Sequence, residues 1–127
     1  MKDPRGEAKR WLEQAEHDFL VCQWMLKGSY YSDACFLAQQ CSEKALKAYL
    51  YFTGERVIYG HSVAELAERC SSSQKEFETI AEDANLLDRF YIQTRYPNAL
   101  PGSIPYKVFT VHDSERAVSS AERILSL

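Results

Sequence analysis

This chain of 127 residues is short of most features that announce a function. It has no excess of positive charge. Fifteen Lys and Arg stand against 18 Asp and Glu, for a formal net charge of −3. Phosphate contacts dominate affinity for nucleic acid, so a general nucleic-acid binder is excluded and any contact with RNA or DNA must be local. No run approaches the roughly 20 apolar residues of a membrane span. The charged stretch 1–10 lacks the apolar core of a secretory signal, so the expected setting is the cytoplasm, with no membrane partner. The four cysteines, Cys22, Cys35, Cys41 and Cys70, form no C-x-x-C pair, and no His stands at zinc spacing from a Cys pair. They are expected to be reduced, buried thiols, and neither a metal site nor a cofactor is expected. A Gly-rich phosphate loop, G-x-S-x-G and H-E-x-x-H are also missing.

The composition that is present, 46% hydrophobic and 26% charged, is that of one ordinary globular domain over residues 1–127, large enough to fill a core. Its most informative stretch is 34–50, ACFLAQQCSEKALKAYL. On a helix, Ala34, Ala38, Cys41, Ala45, Ala48 and Phe52 fall on one longitudinal stripe at steps of three and four. Small side chains let a neighbouring helix come close, so this helix is expected at the centre of a bundle. A polar set, Gln39, Gln40, Glu43, Lys44 and Lys47, runs beside the stripe.

The rest of the chain reads as helices around that hub. Asp3-Pro4 is a helix start. Trp11, Ala15, Phe19, Cys22 and Leu26 make an apolar stripe that Leu20 and Trp24 widen toward a second neighbour or a second subunit, and Gly28 ends the helix. Ser29 or Ser32 is the expected cap of the central helix, and Gly54 its stop. Ser62 with Glu65 forms a capping box that opens a short helix. Ser73 with Glu76 forms another, ahead of one continuous helix through Phe77, Ile80, Ala84, Leu87 and Tyr91 to about Thr94. Pro97 disfavours helix just before it. The loop 96–110 carries Leu100, Ile104, Tyr106, Val108 and Phe109, which are expected to pack on the bundle. Thr110 with Asp113 caps the last helix. The expected fold is all-α, an antiparallel up-and-down bundle of four main helices plus one short helix.

Several of these residues resemble a known family. Ala34-Cys35-Phe36, Ala38-Gln39-Gln40 and Glu43-Lys44-Ala45-Leu46-Lys47-Ala48 match it, followed by His61-Ser62 with Leu66. Leu87-Asp88, Tyr91, Thr94-Arg95-Tyr96-Pro97 and Leu100-Pro101 match as well. Together with the opening Arg10 to Asp18, they are similar to the HEPN domain family over about residues 8–127. The resemblance implies a helical bundle that is often a homodimer and often pairs with a minimal nucleotidyltransferase partner in toxin–antitoxin systems. Members are metal-independent endoribonucleases or nucleotide-binding accessory domains. The ribonuclease members share an Arg followed, after four to six residues, by a His. Arg95 corresponds to that Arg, but positions 100, 101 and 102 are Leu100, Pro101 and Gly102.

Arg56 and His61 do satisfy the spacing, in the loop before the short helix. Cleavage of RNA by its own 2′-hydroxyl needs a base and a cation, and His and Arg suit those roles. The same loop, next to a helix N-terminus, suits an anion. The bland reading makes His61 a residue ahead of a cap and Arg56 a solvated charge. Tyr91, Arg95 and Tyr96 can line a cleft that stacks a base and contacts phosphate, with Lys44 and Lys47 adding charge. Equally, Arg95 can serve a helix C-terminus and the lysines a solvated face. Glu43 and Asp88 are a candidate acid pair. Three functions therefore stand: a nucleotide- or RNA-binding accessory domain, a metal-independent ribonuclease toxin, and a purely structural interaction domain.

Overall fold

The small-residue stripe of the central helix dictates the architecture seen in the computed structural model, which describes residues 3–91, 94–96 and 102–127. The helices are α1 (Pro4–Lys27), α2 (Tyr31–Phe52), α3 (Val63–Ser71), α4 (Ala81–Asp88), α5 (Pro105–Val108) and α6 (Val111–Leu125). There is no strand among the described residues. The chain is an antiparallel bundle in which α2 packs against α1, α3, α4, α5 and α6. Ala34, Ala38 and Cys41 are fully buried. The approach they permit is close enough for the Cys22 thiol of α1 to donate to the Ala34 carbonyl of α2 at 3.1 Å. Phe52, at the far end of the stripe, is exposed, because α2 ends there and nothing covers it.

Side-chain caps open α1, α3 and α6. Asp3 accepts from the amides of Arg5 and Gly6, and Thr110 and Asp113 form a reciprocal capping box. Several expectations need correction. Neither Ser29 nor Ser32 caps α2: its N-cap is Tyr30, without a side-chain bond. Ser29 instead takes the left-handed turn, with φ of 68°, and Ser32 lies buried inside the helix. Gly28 is the C-cap of α1, and a Cβ there would meet the exposed Tyr30 ring at 3.1 Å, so that ring would have to shift slightly. At α3, Ser62 accepts from the Glu65 amide as expected. The reciprocal role falls to Asp88, whose carboxylate accepts from the Ser62 hydroxyl and from the amides of Val63 and Ala64.

The helix expected from Ser73 onward is broken. A 3₁₀ turn, Lys75–Ile80, precedes α4, and its N-cap is Gln74, not Ser73. Ser73 is already committed to closing α3, bonded to the Cys70 carbonyl and to the Tyr49 hydroxyl. Residues 92–93, where that helix was expected to continue, and the loop residues 97–101, Leu100 included, lie outside the described residues. Of the remaining loop groups Phe109 is buried and Ile104 half-buried, but Tyr106 and Val108 are exposed. The one-turn α5 points them away from the core contact that Phe109 makes with Phe90, an edge-on ring pair 5.7 Å apart. Asp83 of α4 holds α6 through Arg123 and the Ser120 hydroxyl, at 2.7 and 2.8 Å.

All four cysteines are buried free thiols. Burial pushes Cys22, Cys35 and Cys70 up to about 12, and raises Cys41 as well. The unfolded thiol ionises near ~8.5, so the stability tied to these groups is fully present below that pH and is lost as pH rises toward the folded value. The midpoint of urea unfolding should hold between pH 6 and 8 and fall steadily above pH ~9. A disulfide-exchange reagent should label the native thiols only as fast as the protein unfolds. Immediate labelling of four thiols at neutral pH would contradict this burial.

Candidate functional site

One buried carboxylate organises the polar side of α2. Glu43 is 4% exposed and Lys47 is 6% exposed, one turn further on. The Lys47 ammonium donates to Glu43 Oε2 at 3.0 Å and lies 5.6 Å above the Trp11 ring of α1. His61 reaches the same carboxylate from the α2–α3 loop, with Nδ1 3.2 Å from each oxygen. The fully buried Gln39 donates to the His61 carbonyl at 2.8 Å and to Glu43 Oε1 at 3.4 Å. Gln40 donates to the Gln39 side-chain oxygen at 2.7 Å. In a neutral imidazole, an Nδ1 that donates to this carboxylate leaves Nε2 as the acceptor nitrogen. Nε2 has no hydrogen-bond partner among the described residues.

The outer side of His61 meets an aromatic–cation stack. Its ring lies on Tyr91, centroids 4.8 Å apart and planes within 15°. The Arg95 guanidinium sits among three rings, 4.3 Å from Phe36, 5.0 Å from Tyr91 and 4.9 Å from Tyr96. Its Nε donates to the Tyr91 carbonyl at 3.0 Å, which fixes the side chain over the turn that follows α4. Arg95 and Tyr96 are exposed, so this face is open to a ligand. A guanidinium held among rings offers charge to a phosphate and a platform to a base.

The structure therefore brings His61, Tyr91, Arg95 and Tyr96 together, and connects Lys47 to them through Glu43. Lys44 is directed elsewhere, to Asp18 of α1. Arg56 is exposed and forms no ion pair or hydrogen bond among the described residues. Glu43 and Asp88 make no contact with each other; each grips one side of the His61-Ser62 step. Because Asp88 fills the N-terminus of α3, the anion at that helix end is a side chain of the protein itself. Phe36, named in the sequence only within the family resemblance, is a further site residue; its place one turn before Gln40 on the hub helix was a usable signal. Among the described residues no three His, Cys, Asp or Glu side chains converge as a metal ion would require. No helix among them is long and apolar enough to cross a membrane.

A central helix with a buried charge row, beside an open aromatic–cation face, defines a small helical module built around one polar site. The model of the HEPN domain matches residues 8–127, and the chain belongs to that family. It is 30% identical over 129 positions to a Methanocaldococcus jannaschii protein named "Putative toxin MJ1304", covering 94% of this chain and 84% of that one. The crystal structure of TT1696 from Thermus thermophilus superposes with a TM-score of 0.89 at 38% identity, covering 94% of each chain. ST0689, described as an archaeal HEPN homologue, gives 0.78 at 35% identity, covering 99% of this chain and 94% of that one.

Removing one partner of a buried ion pair strands the other charge. Glu43→Gln should lower the unfolding free energy by about 3–5 kcal/mol in urea titrations, and Glu43→Gln with Lys47→Met should recover most of that loss. A single variant as stable as the wild type would mean that Lys47 does not depend on Glu43.

Proposed function

We propose that this chain is a nucleotide- or RNA-binding HEPN module of the toxin kind. It acts in the cytoplasm as a homodimer and with a nucleotidyltransferase partner. The observation that carries the binding reading is the Arg95 guanidinium seated among Phe36, Tyr91 and Tyr96, with His61 stacked on Tyr91. A base stacks on such rings, and its phosphate pairs with the exposed guanidinium. The relative named as a toxin supports the biological class. The exposed Leu20 and Trp24, 60% and 72% accessible, support a second subunit on that side of α1.

The Glu43–His61 contact at 3.2 Å favours a second reading, a metal-independent ribonuclease. His61 Nε2 takes the proton of a 2′-hydroxyl, and Arg95 balances the charge gathering on the phosphate. Arg56 has no contact with His61 and is the weaker candidate for that cation.

The two readings separate experimentally. Nucleotide at 100 times its dissociation constant should stabilise the wild type by about 2.7 kcal/mol, read as a rise in melting temperature. Arg95→Ala should abolish that rise. No rise at millimolar nucleotide leaves the purely structural domain ahead. If the protein is a ribonuclease, its expression alone arrests growth and His61→Ala relieves the arrest; growth without arrest counts against cleavage.

A further inference from the structure

The side-chain amides of Gln39 and Gln40 form a relay whose direction is fixed. A backbone carbonyl can only accept, so the His61 carbonyl, 2.8 Å from Gln39 Nε2, turns the Gln39 amide nitrogen toward itself. The Gln39 oxygen then faces Gln40, whose Nε2 donates to it at 2.7 Å. The same nitrogen lies 3.5 Å from Glu43 Oε1, the oxygen that His61 Nδ1 approaches to 3.2 Å. Turning the Gln40 amide over would set its oxygen against both of these oxygens. Gln40 Oε1 has no hydrogen-bond partner among the described residues. No buried side-chain polar atom among them lacks a partner, so this oxygen is open to solvent. Gln40 stands one helical turn from Phe36, whose ring carries the Arg95 guanidinium. An acceptor that cannot become a donor thus borders the aromatic–cation face.

We propose that Gln40 selects the base of the bound nucleotide, taking one whose edge presents an exocyclic amino group, adenine or cytosine, over one that presents a carbonyl there. The inference rests on the nucleotide reading and adds to it the class of base. Arg95 offers only N–H groups, which suits a phosphate, and Gln40 offers only an oxygen, which suits a donor on the base. Hypoxanthine and uracil put a carbonyl in place of the amino group of adenine and cytosine. Facing Oε1, that carbonyl sets acceptor against acceptor. Their ring N–H is flanked by the same carbonyl, so reaching it also brings two oxygens together. Leaving such groups unmatched in a partly desolvated site costs more than a typical hydrogen bond contributes. An unrestrained glutamine would rotate its amide to suit either edge. Here rotation breaks the bond to Gln39, which is fully buried and anchored on the His61 backbone.

The test is isothermal titration of the full chain with adenosine, inosine, cytidine and uridine 5′-monophosphates. Ribose and phosphate are common to all of them, so the ratio within the purine pair and the ratio within the pyrimidine pair report the base edge. The wild type should bind the adenosine and cytidine nucleotides about tenfold tighter than the inosine and uridine ones, an effect of about 1.4 kcal/mol. Gln40→Met, similar in length but without an acceptor, should bring both ratios to within about twofold. Gln40→Lys keeps a donor toward Gln39 and Glu43 and also lacks the acceptor, so it should level the ratios even if Gln40→Met folds poorly. Its added charge acts on every phosphate alike. Equal affinities within each pair in the wild type overturn the inference and leave the nucleotide reading standing. A preference that survives in the folded variants overturns it too, since another group would then read the base. No binding of any of these nucleotides removes the nucleotide reading and this inference with it.

Discussion

The polar side of the bundle depends most on the carboxylate of Glu43, enclosed by the helices and shared between Lys47 and His61. A charge removed from water is costly unless partners surround it, and here every partner is also part of the frame. Lys47 comes from the same helix, His61 from the next connection, and the amide of Gln39 ties that connection to the hub. The carboxylate thus sets where the chain must return after α2, and no described buried side-chain polar atom is left without a partner.

From that anchor the exposed face follows. Asp88 is the last residue of α4, and Tyr91 and Arg95 lie in the turns beyond it. Asp88 locks the start of α3, Tyr91 backs His61, and Arg95 folds over Tyr91. The groups suited to a nucleotide are therefore positioned by two carboxylates inside the fold, and not by the loop that carries His61 alone. Rigid support of this kind keeps an open site organised before any ligand arrives.

Patterns confined to a few neighbouring residues were legible in the sequence: the alanine stripe of α2, the Asp3 cap, and the Thr110–Asp113 box. Each rests on spacing within one or two turns. The contacts that build the site span longer stretches: Glu43 and His61 are 18 residues apart, and Ser62 and Asp88 are 26 apart. No local period encodes such pairs. Lys47 misleads for a different reason. A charged residue beside an apolar stripe reads as solvated, and only the carboxylate one turn back explains its burial. The 3₁₀ turn before α4 was likewise hidden, because its apolar residues keep helical spacing while Ser73 is drawn away to close α3.

The most direct test of this dependence is nucleotide affinity in the Glu43→Gln, Lys47→Met double variant. The stranded charge is absent there, so the fold itself is spared. If Glu43 holds His61 for the ligand, affinity should fall by about tenfold while the variant unfolds within about 1 kcal/mol of the wild type. Unchanged affinity in a stably folded double variant would contradict the claim that one buried carboxylate holds the site in place.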